Sequence, residues 1–463
     1  MTQPNKWYVP WDDALIRKYD INAPRYTSYP TAVQFHALQP IEVQQHLDAQ
    51  RSVTKPLSLY IHIPFCQHIC FYCACNKIAT KDKARADQYL DILEREMVLH
   101  ARNFGHRPIT QLHLGGGTPT FLTLSQMSRM LDLVGIYYDW DPVAHSGEFS
   151  IELDPRETTD DMLQLLRSRG FNRVSFGVQD FDEQTQIAIN RVQSFDLVRS
   201  KVERARELGY QSVNFDLICG LPHQSSESFA RTWEKTLTLS PDRISLYNYA
   251  HLPERFKPQR RIDSATVPAA DAKLTILRDS IELLQQSGYL YIGMDHFAKP
   301  TDELALALEQ GTLQRNFQGY STMSETDMLA LGVSAISQID GLYMQNHHEI
   351  EPYENLINES QLAVKRGIFL NEDDKIRQWA IGQLACQGRL NLRELGQKFS
   401  INAHEYFGNE WQRLAELATD DLIDVTPDIA TVKPLGRLLL RPILLAFDAY
   451  FNAEVATRFS KVL

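Results

Sequence analysis

The sequence predicts an α/β protein: a parallel sheet of six strand–helix units, with an N-terminal extension over 1–50 and a mainly helical domain over 360–463. Three observations predict it. From residue 57 onward, short apolar runs alternate with amphipathic helical stretches. Such alternation implies parallel strands joined by right-handed crossovers. Glycine-rich, cysteine-rich and polar residues recur just after the strand ends, where α/β folds keep their chemistry. Six strands can curl into a partial barrel or lie open as a doubly wound sheet. A barrel absorbs ~250 residues around one core, so residues 51–350 read as one domain.

Residues 1–50 are mixed in character. Within them Pro24-Arg25-Tyr26-Thr27-Ser28-Tyr29-Pro30-Thr31 has no helical or strand period. It reads either as a packed loop or as a flap over a pocket. Leu57–Ile63 is an apolar run that reads as a buried strand, and it leads into Cys66–Cys75. A helix is expected near 83–103. Thr110–Leu114 is a strand running into Gly115-Gly116-Gly117-Thr118-Pro119-Thr120, and Thr123 with Gln126 forms a capping box for the next helix. Glu148–Leu153 precedes Asp154-Pro155-Arg156-Glu157, with Thr158 or Asp161 as helix cap and Gly170 as the stop. Arg173–Val178 leads to Gln179-Asp180, Ser212–Ile218 to Cys219-Gly220-Leu221-Pro222, and Arg243–Tyr247 to Asn248-Tyr249-Ala250-His251. Helices near 182–190, 196–208 and 225–238 fill the gaps.

Beyond the sixth unit, a helix near 268–287 puts Leu274, Leu277, Ile281 and Leu284 on one face. Tyr289–Met294 reads as a short strand, and 315–337 is expected to include a small-residue helix through Gly332, Ser334 and Ala335. In the C-terminal domain, three helices followed by Leu422–Pro434 resemble a winged helix. The candidate recognition helix, 403–418, carries Glu405, Glu410 and Glu416 against Arg413. Phosphates would be repelled, so a packing or partner surface is the better reading.

The chain of 463 residues has a formal net charge of −11. That argues against nonspecific nucleic-acid binding, and it requires a local cationic patch for any anionic substrate. Six cysteines, four of them clustered, suit a reducing compartment. Met1–Asp20 has no apolar export core, and the longest apolar run, Leu438–Phe447, is broken by Arg441 and Pro442. A cytoplasmic protein with no membrane span is expected.

Four thiols lie within Cys66-Gln67-His68-Ile69-Cys70-Phe71-Tyr72-Cys73-Ala74-Cys75, spaced C-x3-C-x2-C-x-C. Thiolates this dense on one loop are metal or cluster ligands more often than packing residues. A zinc site usually draws on a second, separated ligand pair, and no partner C-x2-C or H-x3-H occurs. A cluster on three thiolates fits best, since it leaves one iron open. Zinc, or structural and redox thiols, are the alternatives, and spacing alone does not say which three of the four bind. Elsewhere, Glu152 reads as a carboxylate paired with Arg156 or as a bidentate acceptor for hydroxyls. Gln179, Arg191 and Asp216 are candidate ligand contacts, Asp216 ahead of Arg191 because it lies within an otherwise apolar strand. His62 reads as a hydrogen-bonded core histidine, and Asp295-His296 as a catalytic pair or an ion pair at a strand end, the ion pair being the better reading. Lys257, Arg260 and Arg261 read as a solvated loop or as a group that captures substrate carboxylates.

C-x3-C-x2-C with an aromatic before the third cysteine resembles the radical S-adenosylmethionine (SAM) superfamily signature. The resemblance implies a partial (β/α)6 radical SAM barrel. It implies that Cys66, Cys70 and Cys73 bind a [4Fe-4S] cluster whose open iron chelates SAM, that Tyr72 flanks SAM, and that the triple glycine cradles the SAM amino group. Pro24–Thr31, Cys75 with Asn76-Lys77, Asp154–Glu157, Gly177-Val178-Gln179-Asp180, Gly220-Leu221-Pro222, Gly293–Ala298 and Asn316–Tyr320 extend the likeness over nearly the whole chain. Together they resemble the oxygen-independent coproporphyrinogen III oxidase family.

That resemblance implies decarboxylation of two propionates of coproporphyrinogen III to vinyl groups by a SAM-derived radical, giving protoporphyrinogen IX. It implies two SAM molecules. The first would meet Tyr60, Tyr72, Gly116, Glu152 and Ile336; the second would meet Gly117, Thr118, Gln179, Arg191, Asp216 and Ala250. Cys75 and Tyr60 are the expected catalytic residues. A flavodoxin or ferredoxin is the expected electron donor and a monomer the expected state. Ala74 stands where the family usually has Gly, which touches the placement of Cys75. A haem-binding chaperone with the same cluster motif is the second reading, and a zinc-stabilised winged-helix regulator the third.

Overall fold

A computed structural model describes residues 7–143, 147–323, 326–456 and 459. The chain forms two compact units, one of His36–Ile276 with Glu325–Phe369, the other of Met1–Phe35, Leu277–Ser324 and Leu370–Leu463.

The first unit is built on β1 (Leu57–Ile63), β2 (Ile109–Gly116), β3 (Glu148–Leu153), β4 (Arg173–Gln179), β5 (Ser212–Cys219) and β6 (Arg243–Asn248). All six lie side by side in chain order and pair in parallel. This is the (β/α)6 arrangement of a partial barrel. Six of the seven β1 residues are buried, as expected of a parallel strand covered on both faces. The crossovers carry α1 (Ala84–Phe104), α2 (Leu124–Tyr137), α3 (Asp160–Ser168), α4 (Glu183–Ala188), α5 (Phe195–Glu207) and α6 (Ser226–Leu239). The Thr123–Gln126 capping box of α2 forms in both directions. The cap of α3 is Thr159, not Thr158 or Asp161; its side chain accepts from the Met162 N–H, while Thr158 donates to the Asp154 carbonyl at 2.8 Å.

On the other side of β1 the sheet continues through β7 (Asp327–Leu331), β8 (Ile336–Ile339), β9 (Leu342–Asn346) and β10 (Val364–Phe369). β7 is parallel to β1, with Tyr60 opposite Ala330; the rest are antiparallel. This corrects the helix expected through Gly332, Ser334 and Ala335. Asp327–Leu331 is buried throughout, and its four-residue apolar run, Met328–Leu331, does not distinguish strand from helix by period. The following turn has φ +102° at Gly332 and +64° at Ser334, which no helix accommodates. Glu96 of α1 holds that turn. Its carboxylate accepts from the Gly332 N–H, the Asn346 amide and the Tyr353 hydroxyl, each at 2.7 Å.

In the second unit Leu290–Gly293 and His296–Ala298 form an antiparallel hairpin. Arg389–Asn391, Ile429–Val432 and Ile423–Val425 form a three-stranded antiparallel sheet beside helices Glu372–Gly382, Leu392–Phe399 and Gly408–Ala418, the winged-helix order read from the sequence. Pro24–Thr31 is threaded into this unit. Tyr26 and Tyr29 are buried. Tyr26 Oη donates to Asp448 at 2.9 Å, Arg441 Nε to the Pro24 carbonyl at 3.0 Å, and Gln378 Nε2 to the Tyr29 carbonyl at 2.9 Å. Among the described residues no helix is long and apolar enough to cross a membrane.

Candidate active site

The carboxyl ends of β1 to β6 surround a cavity of about 330 Å³ in the first unit, within the usual range for a small-ligand site. All four clustered thiols line it, with Tyr72, Gly116, Gly117, Thr118, Glu152, Gln179, Arg191 and Asp216. These positions span 151 residues of sequence; the parallel sheet converges those at or near its strand ends, Asp216 stands within β5, and Arg191 is brought in by the turn after α4.

The cysteine loop is pinned by hydrogen bonds to its backbone and by Phe71 and Tyr72, which pack on a buried cluster that includes Ile189, Ile218 and Ile262. The Thr118 N–H donates to the Phe65 carbonyl and Gly117 N–H to the Ile63 carbonyl, both at 2.8 Å. Phe71 N–H reaches the Ile189 carbonyl at 2.9 Å, Asn190 Nδ2 the Ile69 carbonyl at 2.8 Å, and Gln259 Nε2 the Tyr72 carbonyl at 2.9 Å. Glycine is required where the second strand passes beneath. A Cβ on Gly117 would lie 2.7 Å from the Pro64 carbonyl group, and Gly116 has φ +113° with a Cβ position 2.6 Å from the His62 ring.

All four thiols are free. Cys66 and Cys70 are buried, Cys73 half-buried and Cys75 exposed. Burial pushes the Cys66 thiol up to about 11, although Thr118 Oγ1 donates to its sulfur at 3.5 Å. A hydrogen bond from Cys75, helped by Lys77, holds Cys73 below the usual thiol range, and the same hydrogen bond pushes Cys75 above it against the pull of Lys77. Two guanidinium groups face Cys70: Arg191 Nη1 lies 3.4 Å and Arg156 Nη2 3.7 Å from its sulfur. Asp154 binds both, at 2.9 Å and 2.7 Å. Burial acts to raise the Asp154 pKa, but the two arginines outweigh it and hold the carboxyl below its ordinary value.

This donor set fits an iron–sulfur cluster. Soft thiolates stand in one loop, and cations offset the negative charge that thiolate ligation brings. Among the described residues no three ligating side chains converge on one point as a single ion would need. A cluster sets a different demand, since each thiolate meets a different iron.

Glu152 pairs with His113 (3.5 Å) and accepts from the Gly116 N–H (3.2 Å), not from Arg156. Burial works to raise its pKa, but His113 and the Gly116 N–H prevail, so it sits below the ordinary carboxylate value. Its side chain keeps 47% exposure, leaving acceptor capacity facing the cavity. Asp216 accepts from Ser175 and Asn214 at 2.7 and 2.9 Å, and burial pushes its pKa up to about 6. Gln179 sits at φ +67°, an uncommon conformation for its type, beside a shift in register.

Tyr60, Ala250 and Ile336 do not line this cavity. Tyr60 stacks on His113 at 5.8 Å, and its hydroxyl is 3.1 Å from His62 Nδ1. Ala250 is tied to the cysteine loop through Gln259, which donates to both carbonyls. Ile336 opens β8, past the turn held by Glu96. The sequence reading passed over Asp154, His113 and Lys77 as site residues. Asp154 carried a usable signal, standing directly after a strand and two residues from an arginine. His113 carried none that separates it from any polar residue on a strand.

Residues 60–235 match the radical SAM superfamily model. An oxygen-independent coproporphyrinogen III oxidase of Pseudomonas aeruginosa is 48% identical over 98% of this chain and 99% of its own. The Synechocystis protein of the same name is 39% identical over 98% of both chains. This chain belongs to the oxygen-independent coproporphyrinogen III oxidase family. The solved structure of Escherichia coli coproporphyrinogen III oxidase (HemN), described as a radical SAM enzyme, superposes with a TM-score of 0.91 at 46% identity, covering 96% of this chain and 100% of that one. As a radical SAM protein, this member of the coproporphyrinogen III oxidase family uses a [4Fe-4S] cluster and SAM.

Proposed function

We propose that the protein carries out the anaerobic oxidative decarboxylation of two propionates of coproporphyrinogen III to vinyl groups, giving protoporphyrinogen IX in haem biosynthesis. The observation that carries this reading is the four-thiol loop, including Cys75, at the mouth of the strand-end cavity, in a chain related to named oxidases over 98% of its length. Cys66, Cys70 and Cys73 would hold the cluster. Bound there, the cluster and SAM supply a primary carbon radical able to take hydrogen from an unactivated propionate.

The chain's own residues bind and shelter. Gly116 and Gly117 admit a ligand against bare backbone. Glu152, with free acceptor capacity, suits ribose hydroxyls, and Tyr72 supplies a flanking ring. Gln179, Arg191 and Asp216 line the same cavity and are the proposed contacts of a second SAM. Arg191 is oriented by Asp154 and two hydrogen bonds to the Gly177 carbonyl, at 2.6 and 3.2 Å. Tyr60 and Cys75 are the proposed catalytic pair, Cys75 being the one exposed thiol of the loop. A flavodoxin or ferredoxin would deliver the electron to a cytoplasmic monomer.

Anaerobic incubation of cluster-loaded protein with SAM, a reductant and coproporphyrinogen III tests this directly. Protoporphyrinogen and two equivalents of CO2 are expected. Stoichiometric haem capture without turnover would instead favour the chaperone reading.

A further inference from the structure

The second unit holds a group of arginines that the sheet cavity does not use. Arg25 pairs with Asp295 through Nη1. Arg315 and Arg441 act on the same carboxylate, and Arg25 and Arg315 in turn act on Arg441. Arg441 is buried, with Nε committed to the Pro24 carbonyl. Arg315 stands over the Tyr320 ring at 4.7 Å, and its Nε and Nη1 are buried without a partner among the described residues. Arg437 stands over Trp7 at 4.6 Å and spends Nη2 on the Tyr291 and Ile292 carbonyls. Its Nη1 is likewise buried and unpartnered. Arg315 and Arg437 both bear on the hydroxyls of Tyr291 and Tyr320, so the four guanidinium groups form one neighbourhood.

Buried guanidinium N–H groups without acceptors are costly, so this neighbourhood favours an anion able to accept from them. The planar forks suit carboxylates, and the Tyr320 and Trp7 rings stacked on Arg315 and Arg437 help hold those forks in place. The other cationic candidates are already committed. Arg156 serves Asp154 and Cys70, and Arg260 donates to the Pro253 and Glu254 carbonyls.

We propose that Arg315 and Arg437, braced by Arg25, Arg441 and Asp295, form a subsite for the substrate propionates that remain intact through the reaction. The inference rests on the decarboxylase reading above. Permanent cations are poor partners for the reacting carboxylates, which leave as neutral CO2; tight ion pairing would stabilise the ground state against that loss. They suit carboxylates that stay charged from substrate to product. In a chain of net charge −11 they also provide the local positive field an anionic tetrapyrrole needs.

Binding of two stable porphyrins to cluster-loaded protein, followed by fluorescence quenching, tests the inference. Coproporphyrin III has four propionates; mesoporphyrin IX has only the two that the reaction leaves. Arg315→Met should weaken both by tenfold or more and raise KM for coproporphyrinogen III by at least as much, with a smaller effect on kcat. Arg315→Lys, which keeps charge and bulk but not the fork, should recover part of the loss. Arg260→Met removes the same charge from an outward-facing position and should change both dissociation constants less than twofold. Wild-type affinity for mesoporphyrin IX in Arg315→Met, or equal weakening by Arg260→Met, would overturn the subsite while leaving the decarboxylase reading intact. If wild-type protein binds neither porphyrin and releases no CO2 from coproporphyrinogen III, the reading itself fails and the subsite fails with it.

Discussion

At the scale of single residues, the four thiols are not equivalent. Cys66 is buried under Thr118, whereas Cys75 is exposed and hydrogen-bonded to Cys73. Cys66→Ser should therefore abolish iron and sulfide binding. Cys75→Ser should retain both, with reduced decarboxylation; iron and sulfide analysis separates the two outcomes. Arg156 donates toward the Cys70 sulfur and is anchored by Asp154. A hydrogen bond to a cluster sulfur favours the more negative, reduced state. Arg156→Met should lower the cluster midpoint potential by on the order of 50 mV, the one-electron equivalent of about 1 kcal/mol. Redox titration followed by electron paramagnetic resonance reads this shift.

Asp216 provides a pH-dependent test. Its pKa is raised on folding to about 6, so the folded chain binds the proton more tightly than the unfolded chain does. The stabilising contribution is then fully present below the ordinary aspartate pKa and is lost as pH rises through about 6. Asp216→Asn cannot titrate. The stability of wild type minus that of Asp216→Asn, from urea unfolding, should fall from pH 4 to pH 7 and then stay level.

At the scale of elements, the strand–helix alternation was legible because each β strand is a short apolar run closed by polar or glycine residues. The same logic misplaced Gly332–Ala335. Those residues are the turn after β7, and β7 is set by its pairing with β1, some 270 positions earlier in the chain, of which local pattern carries no trace. The site was legible in part for a related reason. Cysteines and triple glycines announce themselves by type and spacing. Asp154 and His113 matter through partners brought together only by folding.

The glycine turn after β2 limits how the cysteine loop can sit. Gly117→Ala would drive a Cβ to 2.7 Å from Pro64 backbone atoms and 2.8 Å from the Phe65 carbonyl. Backbone cannot yield as a flexible side chain can. The substitution should cost about 1–3 kcal/mol, seen as a lower Tm, and should weaken SAM binding measured by calorimetry on the cluster-loaded protein.

At the scale of the whole molecule, two features combine. The C-terminal sheet and helices have winged-helix order, but the helix Gly408–Ala418 carries Glu410 and Glu416 in a chain of net charge −11. Fluorescence anisotropy with duplex DNA at low salt should show no saturable binding. The second feature is that one unit is assembled from three distant stretches of chain, Met1–Phe35, Leu277–Ser324 and Leu370–Leu463. Its tertiary bonds join residues such as Val9 with Gln285 and Tyr26 with Asp448. A chain ending at Phe369 should leave residues 7–35 open to limited proteolysis, while the full chain protects them.

That discontinuity governs the order of events at the ribosome. Tyr26 emerges early, but the carboxylate that receives its hydroxyl is synthesised 422 positions later. At roughly 5–20 residues per second, the amino-terminal arm waits on the order of twenty seconds to more than a minute for its partner. Throughout that interval its aromatic rings have no native surface to cover them, so the nascent arm is a natural client for chaperones. Any message truncated near its end would yield a product marked for degradation at its beginning.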